Sequence, residues 1–244
     1  FETRRVWNKD IRISAIAKGS GMIAPNLGTM LAFVFTDADI PSVFLKSLLK
    51  RTVANTFNAI TIDNDTSTND MVAIFATGKV KTGKFYNVLD PKLKDFENAL
   101  QKVLLNLAKQ IVSDGEGAKK FITVKVLNAR SFNMAKNIAF SVANSPLFKT
   151  AMAAGDPNWG RIVMGIGKSG ENISPEKIEI KIGNFKVAEK GRMAENIVKD
   201  KIKEYMQWDS INIEINLKIG QAYYECYTCD FTKDYISINA DYRS

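Results

Sequence analysis

The amino-acid sequence predicts an α+β fold. Long amphipathic segments occur beside stretches rich in β-branched residues, and the two kinds do not follow a strict βαβ rhythm. The chain has 244 residues, of which 45% are hydrophobic, and this is enough to build a packed core. We therefore expect helices and strands in separate layers, with one domain at 1–122 and a second α+β domain at 123–244.

The first half of the chain predicts one strand and two helices. The apolar run "MLAFVF", directly after Thr29, is typical of a buried strand. Segment 40–60 carries apolar residues at close to a 3.6-residue period, which predicts an amphipathic helix. Segment 90–117 repeats that pattern over a longer span, with Pro91 in the first turn and Gly115 as the stop.

The second half predicts a mixture of strands and helices. The evidence is period-2 alternation for strands, apolar spacing of three and four for helices, and glycine or proline at the breaks. In chain order we expect a strand at 121–129, a helix at 131–155 interrupted at Pro146, a strand at 161–167, a hairpin at 177–191 about Gly183 and Asn184, a helix at 192–206, strands at 210–220 and 222–232, and a short strand with a tail at 234–244.

Charge and hydropathy exclude two broad classes of function. The net charge is +8, but the lysines are scattered rather than gathered into a block, so we expect no nucleic-acid partner. A small anionic substrate, such as a carboxylate metabolite, suits a dispersed positive field. No apolar run reaches the roughly 18 to 20 residues that span a bilayer, so we expect no membrane partner. A chain that opens on Phe1 is expected to be a fragment or a processed piece.

The cysteines and the lack of histidine limit the chemistry. Cys226 and Cys229 form a CxxC on a predicted strand, where residues i and i+3 point to opposite faces, so we expect reduced core cysteines and an intracellular, cytoplasmic location. No metal site is expected, because a structural zinc site lacks ligands. The sequence has no histidine, so acyl-transfer chemistry here needs a lysine, a carboxylate or a free α-amine as its base.

Two motifs resemble ligand sites but have simpler explanations. "GIGKSG", at 165–170, matches G-x-G-x-x-G, yet the helix that should follow it is missing from the pattern, which favours a glycine-rich turn between strands. "DNDTSTND", at 63–70, resembles the start of a calcium loop. It has Thr68 where that loop needs glycine and Ile74 where it needs glutamate, so a polar turn is favoured.

The segment "SDGEGAKK" ends the longest predicted helix with glycines on both sides of Glu116. It has two interpretations. One is an exposed helix end. The other is a backbone bent by glycine so that a single carboxylate is held against a substrate ammonium group.

Thr29 also has two interpretations. It is either an ordinary strand or cap threonine, or a nucleophile activated by its own α-amine after the chain is cut before it. The hydroxyl itself can attack the Gly28 carbonyl and shift the acyl group from nitrogen to oxygen. The small Gly28 leaves room for this attack, and the reaction needs no histidine.

Five blocks resemble the ornithine acetyltransferase family, also called glutamate N-acetyltransferase. They occur in that family's order from about Ile16 to the end of the chain. They are "AKGSGMIAPNLGTML", "FNAITIDNDTSTNDM", "IVSDGEGAKK", "ANSPLFKTAMAAGDPNWGRI" and "CDFTKDYISINADYRS". The resemblance implies the end of the family's α segment at 1–28 joined to a whole β segment at 29–244. It also implies a layered sandwich of the N-terminal-nucleophile-like ornithine acetyltransferase / DmpA type.

The resemblance implies specific roles for residues that match the family's motifs. Self-cleavage is expected between Gly28 and Thr29, with Thr29 as the catalytic, acetyl-accepting nucleophile. The residues implied to bind substrate are Lys18, Thr29, Glu116, Asn239 and Ser244. Gly28 stands where the family usually has alanine, and Ser244 where it commonly has threonine. The family's oxyanion-hole threonine and glycine belong to an upstream part of the α segment.

The implied reaction moves an acetyl group from N-acetylornithine to glutamate in arginine biosynthesis and uses no cofactor. The implied partners are these two substrates, the upstream α segment, and a second copy in a heterotetramer of two α and two β chains. The resemblance leaves open whether acetyl-coenzyme A is a second donor. The alternatives are an N-terminal-threonine amidase or aminopeptidase, and an uncleaved, non-catalytic ligand-binding homologue.

Overall fold

The computed structural model describes residues 2–6, 11–24, 30–66, 69–195 and 198–242. The chain divides into two compact units, Phe1–Ile111 and Val112–Ser244. The break therefore follows Ile111, whereas the domain boundary expected from the sequence follows residue 122. Both units combine a sheet with helices, so the α+β prediction is confirmed.

The first unit contains a four-stranded sheet in the order β1-β2-β3-β4. The first two pairings are antiparallel, and β3 pairs with β4 in parallel. The strands are β1 Glu2–Val6, β2 Ile11–Lys18, β3 Leu31–Ala38 and β4 Met71–Val80. Along β3, Ala32 and Val34 are fully buried while Phe35 is half exposed, which is the alternation of a strand with one face in the core.

Both helices predicted in the first half are confirmed. α1 is Ser42–Ala54, followed by a 3-10 turn at Phe57–Ala59. α2 is Lys94–Ser113, preceded by a 3-10 turn at Pro91–Leu93, and it runs past the break between the units. Its buried side chains recur every three or four residues, as in Phe96, Leu100, Val103, Leu104 and Leu107.

The second unit contains a six-stranded sheet in the order β10-β5-β9-β6-β7-β8. β5 and β9 are parallel and the other pairs are antiparallel. The predicted hairpin about Gly183 and Asn184 is confirmed as β6 and β7. The strands are β5 Phe121–Ala129, β6 Glu179–Ile182, β7 Phe185–Glu189, β8 Arg192–Met193, β9 Ser210–Asn216 and β10 Ala222–Cys229.

The helix α3 packs on two strands of this sheet, β5 and β10, and α5 packs on α3 and α4. The interruption predicted at Pro146 is confirmed, because Ser145 caps the new helix α4 through its hydroxyl. The helices are α3 Phe132–Ala143, α4 Pro146–Ala153, α5 Trp159–Lys168, α6 Lys199–Tyr205 and α7 Lys233–Asp241.

The strand predicted at 161–167 is wrong, because this segment belongs to the helix α5. The Asn158 side chain caps the helix by accepting a hydrogen bond from Arg161 N–H at 3.1 Å. Ile162, Gly165 and Ile166 are the buried positions, and they have helical spacing. The motif "GIGKSG" therefore begins in the last turns of a helix rather than in a turn between strands.

The short strand predicted at 234–244 is also wrong, because α7 is helical. The Thr232 hydroxyl caps it by accepting from Asp234 N–H at 3.2 Å. The alternating Ile236 and Ile238 that suggested a strand are both exposed. The helix predicted at 192–206 is partly wrong, since only α6 and the two-residue β8 form within its described residues.

Three further findings concern expectations from composition. Cys226 and Cys229 are both buried, and neither forms a disulfide. The motif "DNDTSTND" begins as a polar turn in which Asp63 accepts a hydrogen bond from Asp65 N–H at 3.2 Å. In the described part of the chain, the helices are too short or too polar for any of them to cross a membrane.

Candidate active site

The six residues expected at the site are distributed over both units. Lys18 lies in the first unit, and Glu116 and Asn239 lie in the second. The other three fall outside the described residues: Gly28, Thr29 and Ser244. The two parts of the site are therefore built separately from their own contacts.

In the first unit, sheet register positions Lys18. It is the last residue of β2 and pairs with Leu31, the first residue of β3, in the antiparallel ladder. Its side chain is exposed. Because β3 starts two residues after Thr29 in the sequence, the register puts Lys18 beside the strand that this threonine precedes.

The residue that follows Thr29 is held firmly. Met30 is buried, its N–H donates to Asp70 Oδ1 at 2.6 Å, and its carbonyl accepts from Met71 N–H at 3.1 Å. Burial raises the pKa of Asp70, and this outweighs the opposing effects of the Met30 hydrogen bond and the nearby Lys18 charge. Lys18, Met30 and Asp70 thus form one neighbourhood at the start of β3.

The chain before residues 25–29 is anchored as well. The Asp63 carboxylate accepts from Met22 N–H at 2.7 Å and from Ile23 N–H at 3.1 Å. The Ile23 carbonyl accepts from Ile62 N–H at 2.8 Å. These bonds attach residues 22 and 23 to the loop that carries the "DNDTSTND" motif.

Asp63 and Asp70 were missed as site residues by sequence reasoning, which treated this motif only as a polar turn. In the "GSGMIAPNLGTM" stretch some 40 residues earlier, Asp63 binds two backbone N–H groups and Asp70 binds one. The available signal was the resemblance itself, because "FNAITIDNDTSTNDM" is one of the five blocks. In the structure, the two carboxylates of this block hold the flanks of the candidate cleavage site.

A cleft of about 600 Å³ lies next to Met30 and Asp70. Its walls include the basic side chains of Lys46 and Lys50 from α1, and its floor is mainly apolar. A pocket of this size can take a small metabolite, and its lysines favour an anionic one. The floor is lined by Ile23, Leu49, Val53, Phe57 and Ile60.

In the second unit, Glu116 and Asn239 are in direct contact. Asn239 Nδ2 donates to Glu116 Oε2 at 2.9 Å and also to the Tyr235 carbonyl at 3.0 Å. Glu116 lies in the loop after α2, and Asn239 lies in α7. Since Tyr235 and Asn239 are four residues apart, the helix brings both to one face.

Gly117 allows this contact. Its φ is +68°, and a Cβ at this position would lie 2.5 Å from the Tyr235 nitrogen, so a side chain there would collide with α7. The Thr232 hydroxyl donates to the Gly117 carbonyl at 2.7 Å, and Lys119 pairs with Asp234 at 3.0 Å. This geometry supports the second interpretation of "SDGEGAKK", in which glycine bends the backbone to hold one carboxylate.

Each unit presents one charged group of its own. Lys18 of the first unit offers an ammonium group, which suits a substrate carboxylate. Glu116 of the second unit offers a carboxylate oriented by an amide, which suits a substrate ammonium group. Within the described residues, no group of three or more acidic or cysteine side chains is placed to hold a metal ion.

Comparisons with known proteins give a consistent result. The family model described as the ArgJ family matches residues 1–244. Proteins named arginine biosynthesis bifunctional protein ArgJ are similar to this chain. Those from Mesorhizobium japonicum and Brucella melitensis are each 46% identical over 246 residues, covering 100% of this chain and 60% of the relative. The chain thus spans about 60% of the length of these curated relatives.

A solved structure extends the comparison to the fold. The crystal structure of arginine biosynthesis bifunctional protein ArgJ from Bacillus halodurans has a TM-score of 0.81 to this chain at 39% sequence identity. The match covers 86% of this chain and 98% of the other. This likeness confirms the fold type that the five blocks implied.

Proposed function

The chain belongs to the ArgJ family, and on that premise we propose that it carries the nucleophile of an acetyltransferase acting in arginine biosynthesis. The acetyl donor is N-acetylornithine and the acceptor is glutamate. The upstream α segment implied by the resemblance completes the enzyme, which assembles as two α and two β chains. The relatives' shared name, an arginine biosynthesis bifunctional protein, supports this reaction class.

The first step prepares the nucleophile. The Thr29 hydroxyl attacks the Gly28 carbonyl, the acyl group moves from nitrogen to oxygen, and water hydrolyses the resulting ester. This leaves Thr29 with a free α-amine, which can take the hydroxyl proton in place of a histidine. The anchored flanks support this step, because Met30 is bound to Asp70 and Ile23 is bound to Asp63, on either side of the bond to be cut.

Acetyl transfer then takes two displacements. Thr29 Oγ attacks the acetyl carbonyl of N-acetylornithine, the α-amine accepts the hydroxyl proton, and that proton passes to the leaving amine of ornithine. The amine of glutamate next attacks the acetyl-threonine ester. It loses a proton as N-acetylglutamate forms, and Thr29 Oγ regains one.

Binding is assigned to groups of opposite charge. Lys18 pairs with a substrate carboxylate. Glu116 pairs with a substrate ammonium group, while Asn239 holds the Glu116 carboxylate in place. Ser244 contributes a hydroxyl from the C-terminal tail. The observation that carries the proposal is the 2.9 Å hydrogen bond between Asn239 and Glu116, because it joins two separate blocks that the resemblance assigns to one substrate site.

Mass mapping tests the covalent intermediate. The full-length gene product would be incubated with N-acetylornithine alone, quenched in acid and digested. We expect an acetyl group on the peptide that begins at Thr29 and its loss when glutamate is added before the quench. A Thr29→Ala variant is the control. Absence of acetyl from that peptide in the active enzyme would refute the acetyl-threonine step.

Two simpler assays separate the alternatives. On a denaturing gel we expect two bands from the full-length product, whereas a single intact band would favour a non-catalytic ligand-binding homologue. Ornithine release should require glutamate for sustained turnover. Sustained release without the acceptor would instead indicate an N-terminal-threonine amidase.

A further inference from the structure

A buried lysine contacts the turn that leads into α7, the helix that carries Asn239. Lys149, in α4, is only 1% exposed. Its Nζ donates to Thr228 Oγ1 at 2.7 Å and to the Cys229 carbonyl, and it lies 4.6 Å from the centre of the Phe231 ring. A carbonyl oxygen and an aromatic face are partners that stabilise an ammonium group in the interior.

These contacts hold the turn between β10 and α7. Besides the side-chain contacts, the Lys149 carbonyl accepts from Phe231 N–H at 3.3 Å. The Lys149 residue therefore binds the backbone of this turn on both sides of Asp230. The turn is the point from which α7, with Asn239, extends.

Asp230 connects the same turn to the Glu116 loop. It is 2% exposed, and its Oδ1 accepts from both Lys119 N–H and Lys120 N–H at 2.9 Å. A buried carboxylate is costly unless it is hydrogen-bonded, so these two bonds set the position of the loop strongly.

The path from Lys149 to Asn239 is continuous. Phe231, which covers the Lys149 ammonium group, stacks on Tyr235 with ring centres 4.7 Å apart. The Tyr235 carbonyl in turn accepts from the Asn239 amide. Three contacts thus lead from the buried lysine to the residue that orients Glu116.

We propose that Lys149 and Asp230 are positioning residues for the Glu116–Asn239 pair. Lys149 holds the start of α7, and Asp230 holds the Glu116 loop against it, so that the carboxylate and the amide meet in the geometry that receives the substrate ammonium group. The kinetic part of this inference rests on the proposed function. The structural part does not, because it concerns contacts within the second unit alone.

Hydrogen exchange tests the structural part in the full-length protein without substrate. In Lys149→Met, we expect the amides of Lys119 and Lys120 and those of 233–241 to exchange about tenfold faster. The reason is that the Lys149 contacts that hold the turn between β10 and α7 are lost. Lys181→Met is the control. It removes another lysine of the second unit, but its Nζ pairs with Glu214 at 3.0 Å and Glu179 at 3.9 Å, in β9 and β6, rather than with the 229–231 turn.

Equal exchange in the two variants would overturn the proposal. If Lys149→Met does not fold, Phe231→Leu removes the ring contact and the stack on Tyr235 instead, and the same local acceleration is expected. Exchange that matches the parent protein in Phe231→Leu would also overturn it.

Kinetics test the link to the site. We expect Lys149→Met to raise KM for the amino-acid substrates about tenfold while kcat changes less than about threefold, since binding geometry rather than chemistry is disturbed. In an Asn239→Ala background the same substitution should have little further effect on KM. Fully additive effects would show that Lys149 acts only on general stability, and would refute the positioning role. If the parent protein transfers no acetyl group, the proposed function fails while the exchange result still decides the structural part.

Discussion

At the residue scale, the contact between Glu116 and Asn239 depends on one glycine and one helical turn. Gly117 lets α7 approach the loop, and the 3.6-residue period turns Asn239 toward it. The amide occupies one carboxylate oxygen, which orients the negative charge. An oriented carboxylate is a stronger partner for an ammonium group than a freely rotating one.

We predict that Glu116→Gln weakens substrate binding while keeping the fold. Glutamine can still accept the hydrogen bond from Asn239 but lacks the charge that pairs with an ammonium group. KM for glutamate should rise by about tenfold or more, since a hydrogen bond to a charged group contributes about 1.5 to 3 kcal/mol. Steady-state kinetics of the full-length protein would measure this change.

The chain offers a matched control for this substitution. Glu171 accepts a hydrogen bond from Asn137 at 2.7 Å, so it forms another exposed glutamate–asparagine pair. Glu171→Gln should leave KM unchanged. Equal KM values for Glu116→Gln and Glu171→Gln would contradict the role of Glu116.

At the element scale, the crossing of α3 and α5 depends on a missing side chain. A Cβ on Gly165 would lie 3.0 Å from the Val142 Cα, whereas no described atom lies within 4 Å of the Cβ position of Gly167. Both glycines belong to α5, so the helix contains one glycine required by packing and another that packing does not require.

We therefore predict opposite effects on stability from two alanine substitutions. Gly165→Ala should lower the free energy of unfolding by about 1 to 3 kcal/mol, because it overpacks the helix contact. Gly167→Ala should raise it by up to about 1 kcal/mol, because alanine is the better helix former. Urea denaturation of both variants would measure the difference, and a loss of stability in both would argue against α5 being a helix.

The helices α1 and α2 are joined by an ion pair that predicts a pH dependence. Arg51 Nε lies 2.8 Å from Glu97 Oε1, and this hydrogen bond lowers the pKa of Glu97 below its usual value. Because the pKa is lowered in the folded state, the pair stabilises the fold fully at pH values above the ordinary glutamate pKa of about 4.3. This stabilisation is lost as the pH falls through the lowered pKa.

Glu97→Gln should thus lower the free energy of unfolding by about 0.5 to 1 kcal/mol at pH 7 and by progressively less below about pH 4. Asp39→Asn is the control, because its partner Lys81 is 81% exposed and such pairs contribute little. Urea denaturation between pH 3 and pH 7 would measure both. A loss of unfolding free energy in Glu97→Gln that is the same at every pH would show that the Arg51–Glu97 pair is not ionic.

At the scale of the whole molecule, the candidate site residues occur in both units, and the resemblance implies a further contribution from upstream. We predict that the chain 1–244 alone transfers acetyl at least about a hundredfold more slowly than the full-length product, because it lacks the implied oxyanion-hole donors. Ornithine release from N-acetylornithine would measure this. Co-expression with the upstream segment should restore the rate, and full activity of 1–244 alone would contradict the prediction.

The sequence by itself determined the α+β class, most of the longer elements and the family. These follow from local periodicity, from proline and glycine breaks, and from ordered blocks, all of which are properties of neighbouring residues. Thr29 and Gly28 could be proposed from the sequence because the self-cleavage that the resemblance implies concerns a single peptide bond. Lys18 and Glu116 were proposed from the family motifs that surround them.

Only the tertiary structure decided where local patterns were ambiguous. Segments 161–167 and 234–241 were predicted as strands, but the structure has helices there, capped by the side chains of Asn158 and Thr232, and Ile162 is buried in the first of them. Asp63, Asp70, Lys149 and Asp230 act on backbone groups far away in the sequence. Their roles arise from burial and from hydrogen bonds across the fold, and no local pattern records which distant N–H or carbonyl a buried charge will meet.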